Sequence, residues 1–427
     1  MLDINLIRKE PEKVRQALLK RMDDVSFDTL LDLDTRRREL IQETEGMKAQ
    51  RNDVSGNIPR LKKAGQDVSD LLAEMKQLSD TIKDQDAQLR VVNEEIQAIL
   101  DTLPCVPDED VLPGGKENNQ VVRTWGQKPD FSFEPKDHVD LVTSLGLVDY
   151  ERGVKLGGNG FWLYSGLGAQ LEWALINYCI ETHIADGYTF MLPPHILTWQ
   201  CGYVAGQFPQ FQEDVFPVGR SEDSGHFLLP TAETALINLY RDEVLAEDQL
   251  PVKCFAYTPC YRREAGSYRA NERGMIRGHQ FNKVEVFQYT RPEESGAALE
   301  ELTAKAEELV QGLGLHYQVS KLAAKDASAH VAKTYDIEIW IPSMNEYKEI
   351  SSASNARDYQ ARRGNMRFKR AETKKNEYLH TLNASGLATS RLMPALVEQL
   401  QQADGSVLVP EVLRKWVGTD KLTPPGK

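Results

Sequence analysis

Cysteine is scarce in this chain: five are scattered over 427 residues, at 105, 179, 201, 254 and 260, and no two form a Cys-x-x-Cys pair. An odd number at such spacings speaks against a disulfide framework, and no structural zinc is expected. The eight histidines include no His-x-x-x-His pair either. Long apolar runs are missing, with no stretch of 18 apolar residues, so no membrane-spanning helix and no membrane partner are expected. The start, Met1-Leu2-Asp3-Ile4-Asn5-Leu6-Ile7-Arg8-Lys9-Glu10, lacks the apolar core of a secretory signal. Together these point to a reduced, cytoplasmic protein. Positive charge is in deficit too: 51 Lys and Arg face 64 Asp and Glu, a net charge of −13. That argues against indiscriminate clinging to nucleic acid. Neither a Gly-x-Gly-x-x-Gly after a strand nor a Gly-x-x-x-x-Gly-Lys-Ser/Thr loop occurs, which disfavours Rossmann and P-loop nucleotide sites. What remains, 41% hydrophobic and 27% charged residues, suffices for a large core, and at about 150 residues per domain the length suggests two or three domains.

The first hundred residues are dense in charge and strongly periodic. At alternating steps of three and four, Val68, Leu71, Met75, Leu78, Ile82, Gln85, Leu89, Val92, Ile96 and Ile99 form a row in which only Gln85 is polar. Upstream, Leu30, Leu33, Arg37, Leu40, Thr44, Met47, Arg51, Val54, Ile58 and Leu61 form a second row, broken by Arg37, Thr44 and Arg51. Such spacing is a coiled-coil seam. The short connection Lys62-Lys63-Ala64-Gly65-Gln66-Asp67 folds the second helix back along the first. Helices of about 30 residues would be roughly 45–50 Å long. Residues 30–63 carry eight basic and six acidic side chains, whereas residues 66–99 carry three and eight. A basic face on the first helix, with Arg36, Arg37, Arg38 and Arg51, is a candidate for phosphate contacts; the plainer reading is a solvated pair with cross-seam ion pairs. Leu103-Pro104-Cys105-Val106-Pro107 ends the arm. The division expected is an arm over 1–103, a linker over 104–120 and a larger domain over 121–427.

That domain alternates short β-branched and aromatic runs with helical patterns. Lys283-Val284-Glu285-Val286-Phe287-Gln288-Tyr289 and Tyr335-Asp336-Ile337-Glu338-Ile339-Trp340-Ile341 alternate in face, as antiparallel strands do. Four polar segments are set among these strands: Leu229-Pro230-Thr231-Ala232-Glu233-Thr234; Tyr261-Arg262-Arg263-Glu264-Ala265-Gly266 with Arg277-Gly278-His279-Gln280-Phe281 and Glu285; Tyr347-Lys348-Glu349-Ile350-Ser351-Ser352; and Asn383-Ala384-Ser385-Gly386-Leu387-Ala388-Thr389-Ser390-Arg391. Arginines and glutamates on strands, with a further arginine entering a helix, suggest a polyanion site whose own carboxylates bind cations. Singly, an Arg-x-Glu in a strand is most often a cross-strand ion pair.

In this order, the segments resemble the bacterial type of seryl-tRNA synthetase, a class II aminoacyl-tRNA synthetase. Arg262-Arg263-Glu264 is similar to the second class signature, Asn383 to Arg391 to the third, and the helix near 167–185 with Met191-Leu192-Pro193-Pro194 to the first. Thr231-Ala232-Glu233 and Glu349-Ile350-Ser351-Ser352 resemble segments peculiar to the serine enzymes, and the helical arm is the family's other hallmark. The resemblance implies an α+β fold: a long antiparallel two-helix arm followed by a catalytic domain on a mainly antiparallel sheet flanked by helices. It implies activation of L-serine with ATP and transfer to tRNA(Ser), and to tRNA(Sec) where that exists. Arg262 would bridge the serine carboxylate and the α-phosphate. Arg263, Glu264, Phe281, Ile350, Ser351 and Arg391 would hold ATP, and Glu349 and Ser352 would also ligate Mg2+. Thr231, Ala232, Glu233, Glu285, Asn383 and Ser385 would hold serine. Arg262, Glu349 and Arg391 would carry the catalysis. The 167–194 region would form a homodimer contact. Gly278, Ala384 and Lys325-Asp326-Ala327-Ser328 depart from the usual pattern, which leaves open a duplicate resistant to a seryl-adenylate-mimicking antibiotic. A separate alternative is a paralogue that loads a carrier protein, against which the complete hairpin at 30–99 counts.

Overall fold

The computed structural model describes residues 1–219, 225–264 and 274–424. Ala265 and Gly266 of the second polar segment lie outside them. The chain forms two compact units, Leu2–Pro104 and the part from Cys105 onward.

In the first unit, α1 (Ile4–Lys9) starts at Asp3, whose carboxylate accepts the Asn5 amide, and α2 (Pro11–Leu18) has proline in its first turn, where no backbone donor is needed. The long pair follows, α3 (Asp28–Lys63) and α4 (Ser69–Thr102), of 36 and 34 residues. At 1.5 Å per residue they are about 54 and 51 Å long. They exceed the expected 30 residues because α3 begins at Asp28 and keeps Lys62 and Lys63 helical, and α4 runs on to Thr102; the reversal falls on 64–68, with Gly65 at φ +77°, a left-handed conformation that other residues resist. All twenty seam positions read from the sequence are buried or half-buried. The two central polar exceptions meet: the Thr44 hydroxyl donates to Gln85 Oε1 at 2.9 Å, and Gln85 Nε2 donates to Glu43 at 2.8 Å. Arg37 is half-buried. It bonds to Asp34, which is 1% exposed and also meets Arg8 Nε of α1 at 2.6 Å and Arg38 Nε at 3.5 Å. Burial raises the Asp34 carboxyl, but Arg8 and Arg37 outweigh it and hold the group below the usual carboxylate range.

The second unit is built on eight strands: β1 (Gln120–Trp125), β2 (Thr189–Met191), β3 (Val252–Tyr261), β4 (Gln280–Thr290), β5 (Tyr317–Lys321), β6 (Lys333–Ile341), β7 (Glu346–Arg357) and β8 (His380–Ala388). Their spatial order is β1-β5-β6-β7-β8-β4-β3-β2, antiparallel throughout except between β2 and β3. This is the mainly antiparallel sheet that the alternating runs predict. Helices α5 (Leu167–Ala185), α6 (Ser295–Gly312) and α7 (Thr389–Gln399) cover one face. There Leu171, Leu175, Leu302 and Leu396 pack on Val284, Ile337, Ala353 and Leu382, each large side chain contributing roughly 1.5–3 kcal/mol by leaving water. The stretch 105–119 is no free tether. Its Cys105 and Asp108 amides donate to Ala329 and Ala332 at 2.7 and 3.0 Å, and Asp110 pairs with Lys333 at 2.8 Å.

Replacing Asp34 removes a charge-assisted hydrogen-bond acceptor that joins α1 to α3, at a cost of about 2 kcal/mol. In Asp34→Ala, amides of α1 and of the first turns of α3 are expected to exchange hydrogen roughly 30-fold faster, by the tenfold-per-1.4 kcal/mol rule. Unchanged exchange would show that the cluster adds nothing.

Candidate active site

The sheet face away from α5, α6 and α7 holds the polar segments. Neighbouring strand residues point to opposite faces, so Phe281, Lys283 and Glu285 of β4 line a cavity while Val284 and Val286 enter the core. Likewise, Asn383 and Ser385 of β8 face the cavity, with Leu382 and Ala384 behind them, and Thr334, Asp336 and Glu338 of β6 face it with Tyr335, Ile337 and Ile339 behind. On β7 the rule is broken to effect. Ile337 pairs with Ser351 but Glu338 with Glu349, which leaves Ile350 as the extra residue of a β-bulge. Glu349 and Ser352 stand three apart and would face opposite ways on a regular strand; the bulge puts both into the cavity. The cavity holds about 580 Å3, a normal size for a small-molecule site.

Its inner end is anionic and tightly tied. Glu285, fully buried, takes Asn383 Nδ2 at 2.9 Å, Lys283 Nζ at 2.5 Å and the Thr231 hydroxyl at 3.5 Å. Glu233 takes Gln360 Nε2 at 2.9 Å, with His330 Nε2 3.5 Å away. Burial pushes the Glu233 carboxyl up, but His330 and Gln360, with Lys283 further off, more than offset this, so it lies below the usual range. Gln360 is itself fixed by Thr381 at 2.7 Å and by the Ala205 carbonyl at 2.9 Å. Two carboxylates beside an open volume, with donors already assigned to their other lone pairs, suit an ammonium and a hydroxyl.

The outer end is cationic. Arg262 donates to the Pro230 carbonyl at 3.2 Å, and its guanidinium lies 5.2 Å from the centre of the Phe281 ring. Glu264, at the left-handed φ of +52°, is 3.3 Å from Arg277. Arg391, in the first turn of α7, donates to the Glu349 carbonyl at 2.8 Å and lies 3.3 Å from its carboxylate. Desolvation within the cavity raises the Glu349 carboxyl, but Arg391 and Arg262 outweigh it and bring it below the usual range. Its neighbour Asp336 moves the other way, well up, through burial and then the charge of Glu349. The Ser352 hydroxyl sits between them, 2.5 Å from Asp336 and 3.2 Å from Glu349.

Of the residues expected from sequence, Thr231, Glu233, Arg262, Glu264, Phe281, Glu285, Glu349, Ile350, Ser352, Asn383, Ser385 and Arg391 line this one cavity. Three do not. Ala232 is in the core with Leu236 and Ile237. Arg263 is exposed, and its amide donates to the Asp214 carbonyl at 2.7 Å. Ser351 faces the core side of the bulge and donates to the Ser385 carbonyl at 2.6 Å. Lys283, Asp336, Gln360 and His330 touch these residues, and the motifs did not single them out. Alternation along 281–285 contained the signal for Lys283. Gln360 and His330 come from segments remote in sequence and gave none.

This sheet and cavity define the catalytic core of a class II aminoacyl-tRNA synthetase. Residues 216–400 match the family model described as tRNA synthetase class II core domain (G, H, P, S and T), and residues 1–107 match the seryl-tRNA synthetase N-terminal domain. The chain is 64% identical to serine–tRNA ligase 2 of Clostridium acetobutylicum, over 99% of this chain and 100% of that relative. It is 48% identical to the serine–tRNA ligase of Geobacillus kaustophilus over 98% and 99%. Among solved structures, seryl-tRNA synthetase from Pyrococcus horikoshii complexed with ATP superposes with a TM-score of 0.91 at 34% identity, covering 99% of this chain and 100% of that one. Cytoplasmic serine-tRNA ligase from Naegleria fowleri in complex with AMP gives 0.88 at 28%, covering 100% and 99%. The chain belongs to the seryl-tRNA synthetase family.

The lowered Glu233 carboxyl sets a pH dependence. A carboxylate depressed in the folded state contributes stability that is complete above the ordinary value near 4.3 and is lost as pH falls through the folded value. Between about pH 5 and 3 the urea midpoint of the native chain is expected to drop more steeply than that of Glu233→Gln. Parallel slopes would remove Glu233 from the balance.

Proposed function

We propose that this chain is a serine–tRNA ligase that joins L-serine to ATP as seryl-adenylate and passes serine to the terminal adenosine of tRNA(Ser). The observation that carries this is the single cavity holding an anionic inner end, Glu233 and Glu285, and a cationic outer end, Arg262 and Arg391. Serine fits the inner end with its ammonium at Glu233 and Thr231 and its hydroxyl at Glu285, Asn383 and Ser385. Alanine, lacking the hydroxyl, would leave those groups unpaired in a buried site. Arg262 lies where a guanidinium can bind both the serine carboxylate and the α-phosphate, two anions that otherwise repel. A carboxylate oxygen attacks the α-phosphorus, the bond to the β-phosphate oxygen breaks and pyrophosphate leaves. A hydroxyl of the tRNA adenosine then attacks the seryl carbonyl, and AMP leaves. Phe281 offers its ring to the adenine, Glu264 an acceptor for its amine, and Arg391 a charge for the γ-phosphate. Orientation and charge neutralisation supply the rate, with no strong general base needed.

Mg2+ fits the donor set. Glu349 and Ser352 present hard oxygens to the cavity, with the Asp336 carboxylate 2.5 Å from the Ser352 hydroxyl. Among the described residues no group of three His, Cys, Asp or Glu is arranged to hold a metal ion, so phosphate oxygens would complete its shell. Bound at Glu349 and Ser352, such an ion would supply neutralisation of phosphate charge.

On the arm, exposed Arg36 and Arg38 remain candidates for the tRNA backbone, as does half-buried Arg51, while Arg37 is committed to Asp34. RNA of this kind is read largely by shape and phosphate. A homodimer through 167–194 is supported by Leu167, Trp173, Ile184 and Leu192, which are 37%, 53%, 53% and 74% exposed. No described helix is long and apolar enough to cross a membrane, and we assign the protein to the cytoplasm, where tRNA is used. A carrier-protein acceptor is not favoured, since the relatives that match from end to end are named as tRNA ligases.

Serine-dependent ATP–pyrophosphate exchange followed by charging of total tRNA tests the whole reading; exchange without charging would defeat the tRNA step. Glu285→Ala is expected to lose at least 100-fold in exchange at low serine, about 2.7 kcal/mol of binding, and far less in thermal stability. Comparable losses in both would make Glu285 structural. Deleting residues 30–99 should spare exchange and raise the KM for tRNA by about tenfold or more, as loss of several phosphate contacts does. A collapse of exchange would show that the arm also supports the fold.

A further inference from the structure

Glu172 lies on α5, outside the cavity, and is 4% exposed. Its Oε1 accepts two hydrogen bonds, from Asn282 Nδ2 at 2.8 Å and from the Thr389 hydroxyl at 2.5 Å. Each donor is next to a cavity residue. Asn282 stands on β4 between Phe281 and Lys283 and, by alternation, points to the opposite face from both. Thr389 is the first residue of α7, two before Arg391. The Thr389 hydroxyl also reaches the Asn282 carbonyl at 3.1 Å, and Asn282 Oδ1 is fixed by Tyr257 at 3.1 Å. One carboxylate oxygen thus closes a triangle among α5, β4 and α7, beneath the two side chains that face the purine and the phosphate end.

Such a carboxylate is expensive to bury. Its other oxygen, Oε2, has no hydrogen-bond partner, and burial raises the carboxyl despite Thr389, Asn282 and the nearby Tyr164 hydroxyl. A residue needed only for packing would be better served by leucine or methionine. The directional bonds are what an apolar residue could not provide.

We infer that Glu172 is a positioning residue for the nucleotide half of the site, holding Phe281 and Arg391 in register with each other through Asn282 and Thr389. The inference rests on the roles proposed above for Phe281 and Arg391. It also gives α5 a second part. The residue beside Glu172 is Trp173, 53% exposed on the outward side and edge-on to Tyr257 at 5.7 Å, so the helix proposed to meet a second subunit is the one that braces the ATP residues.

The test is pyrophosphate exchange by the full chain with Glu172→Leu and Glu172→Gln. Glutamine keeps a carbonyl oxygen for both donors. Loss of a charge-assisted acceptor is expected to raise the KM for ATP about tenfold in Glu172→Leu while the KM for serine stays within about twofold. Glu172→Gln should stay within about twofold of the native chain for both. Equal rises for ATP and serine, or a glutamine variant as impaired as the leucine one, would overturn the inference. If Glu172→Leu does not fold, Thr389→Val replaces it, with the same selective rise expected and an unchanged ATP KM counting against. Arg391→Ala run in parallel separates the two readings. A rise in Arg391→Ala without one in Glu172→Leu refutes the brace, whereas a rise in Glu172→Leu alone supports the brace through Phe281 and places the failure in the role given to Arg391.

Discussion

A β-strand turns successive side chains to opposite faces, and the whole cavity depends on that constraint. On β4, β6 and β8 it sorts one sequence into two surfaces, an apolar one that α5, α6 and α7 cover and a polar one that they leave open. Because the strands are antiparallel neighbours in register, the polar sides of several strands fall side by side: Glu285 of β4 pairs with Ser385 of β8. The bulge at Ile350 is a local departure, and it brings Glu349 and Ser352 to the same side. A regular β7 would have offered one or the other.

Crowding charged groups onto one face creates an electrostatic problem that is solved locally. Glu285 is answered by Lys283, Glu233 by His330 and Gln360, and Glu349 by Arg391. Asp336, with no cation paired to it among the described residues, carries a raised carboxyl, through its burial and the charge of Glu349. These pairings keep the side chains in place before any ligand arrives, so binding need not first assemble the site. The brace at Glu172 extends the same economy to the far side of the sheet.

Much of this was legible in the sequence, for identifiable reasons. The arm was legible because a coiled-coil seam is a one-dimensional pattern, and all twenty seam positions came out covered. Glu285, Asn383 and Ser385 were legible because period two and motif agree. Asp34 was not, since its partner Arg8 comes from a separate helix. Nor were His330 and Gln360, which reach Glu233 from loops and a short helix distant in the chain. That the Ser351 side chain points away from the cavity was not legible, because the bulge is set by pairing with β6, and pairing register is a property of two strands at once.

The bond between Thr44 and Gln85 has a consequence for how this arm can change over evolutionary time. Two greasy rods could slide past each other by small steps, but a polar pair inside the seam finds its mate at one alignment only. Residues added to α3 alone would misalign it with α4. Length can therefore change only by matched insertions that restore the seam, in paired seven-residue increments of about 10 Å. The arm is in this sense a gauge with discrete settings.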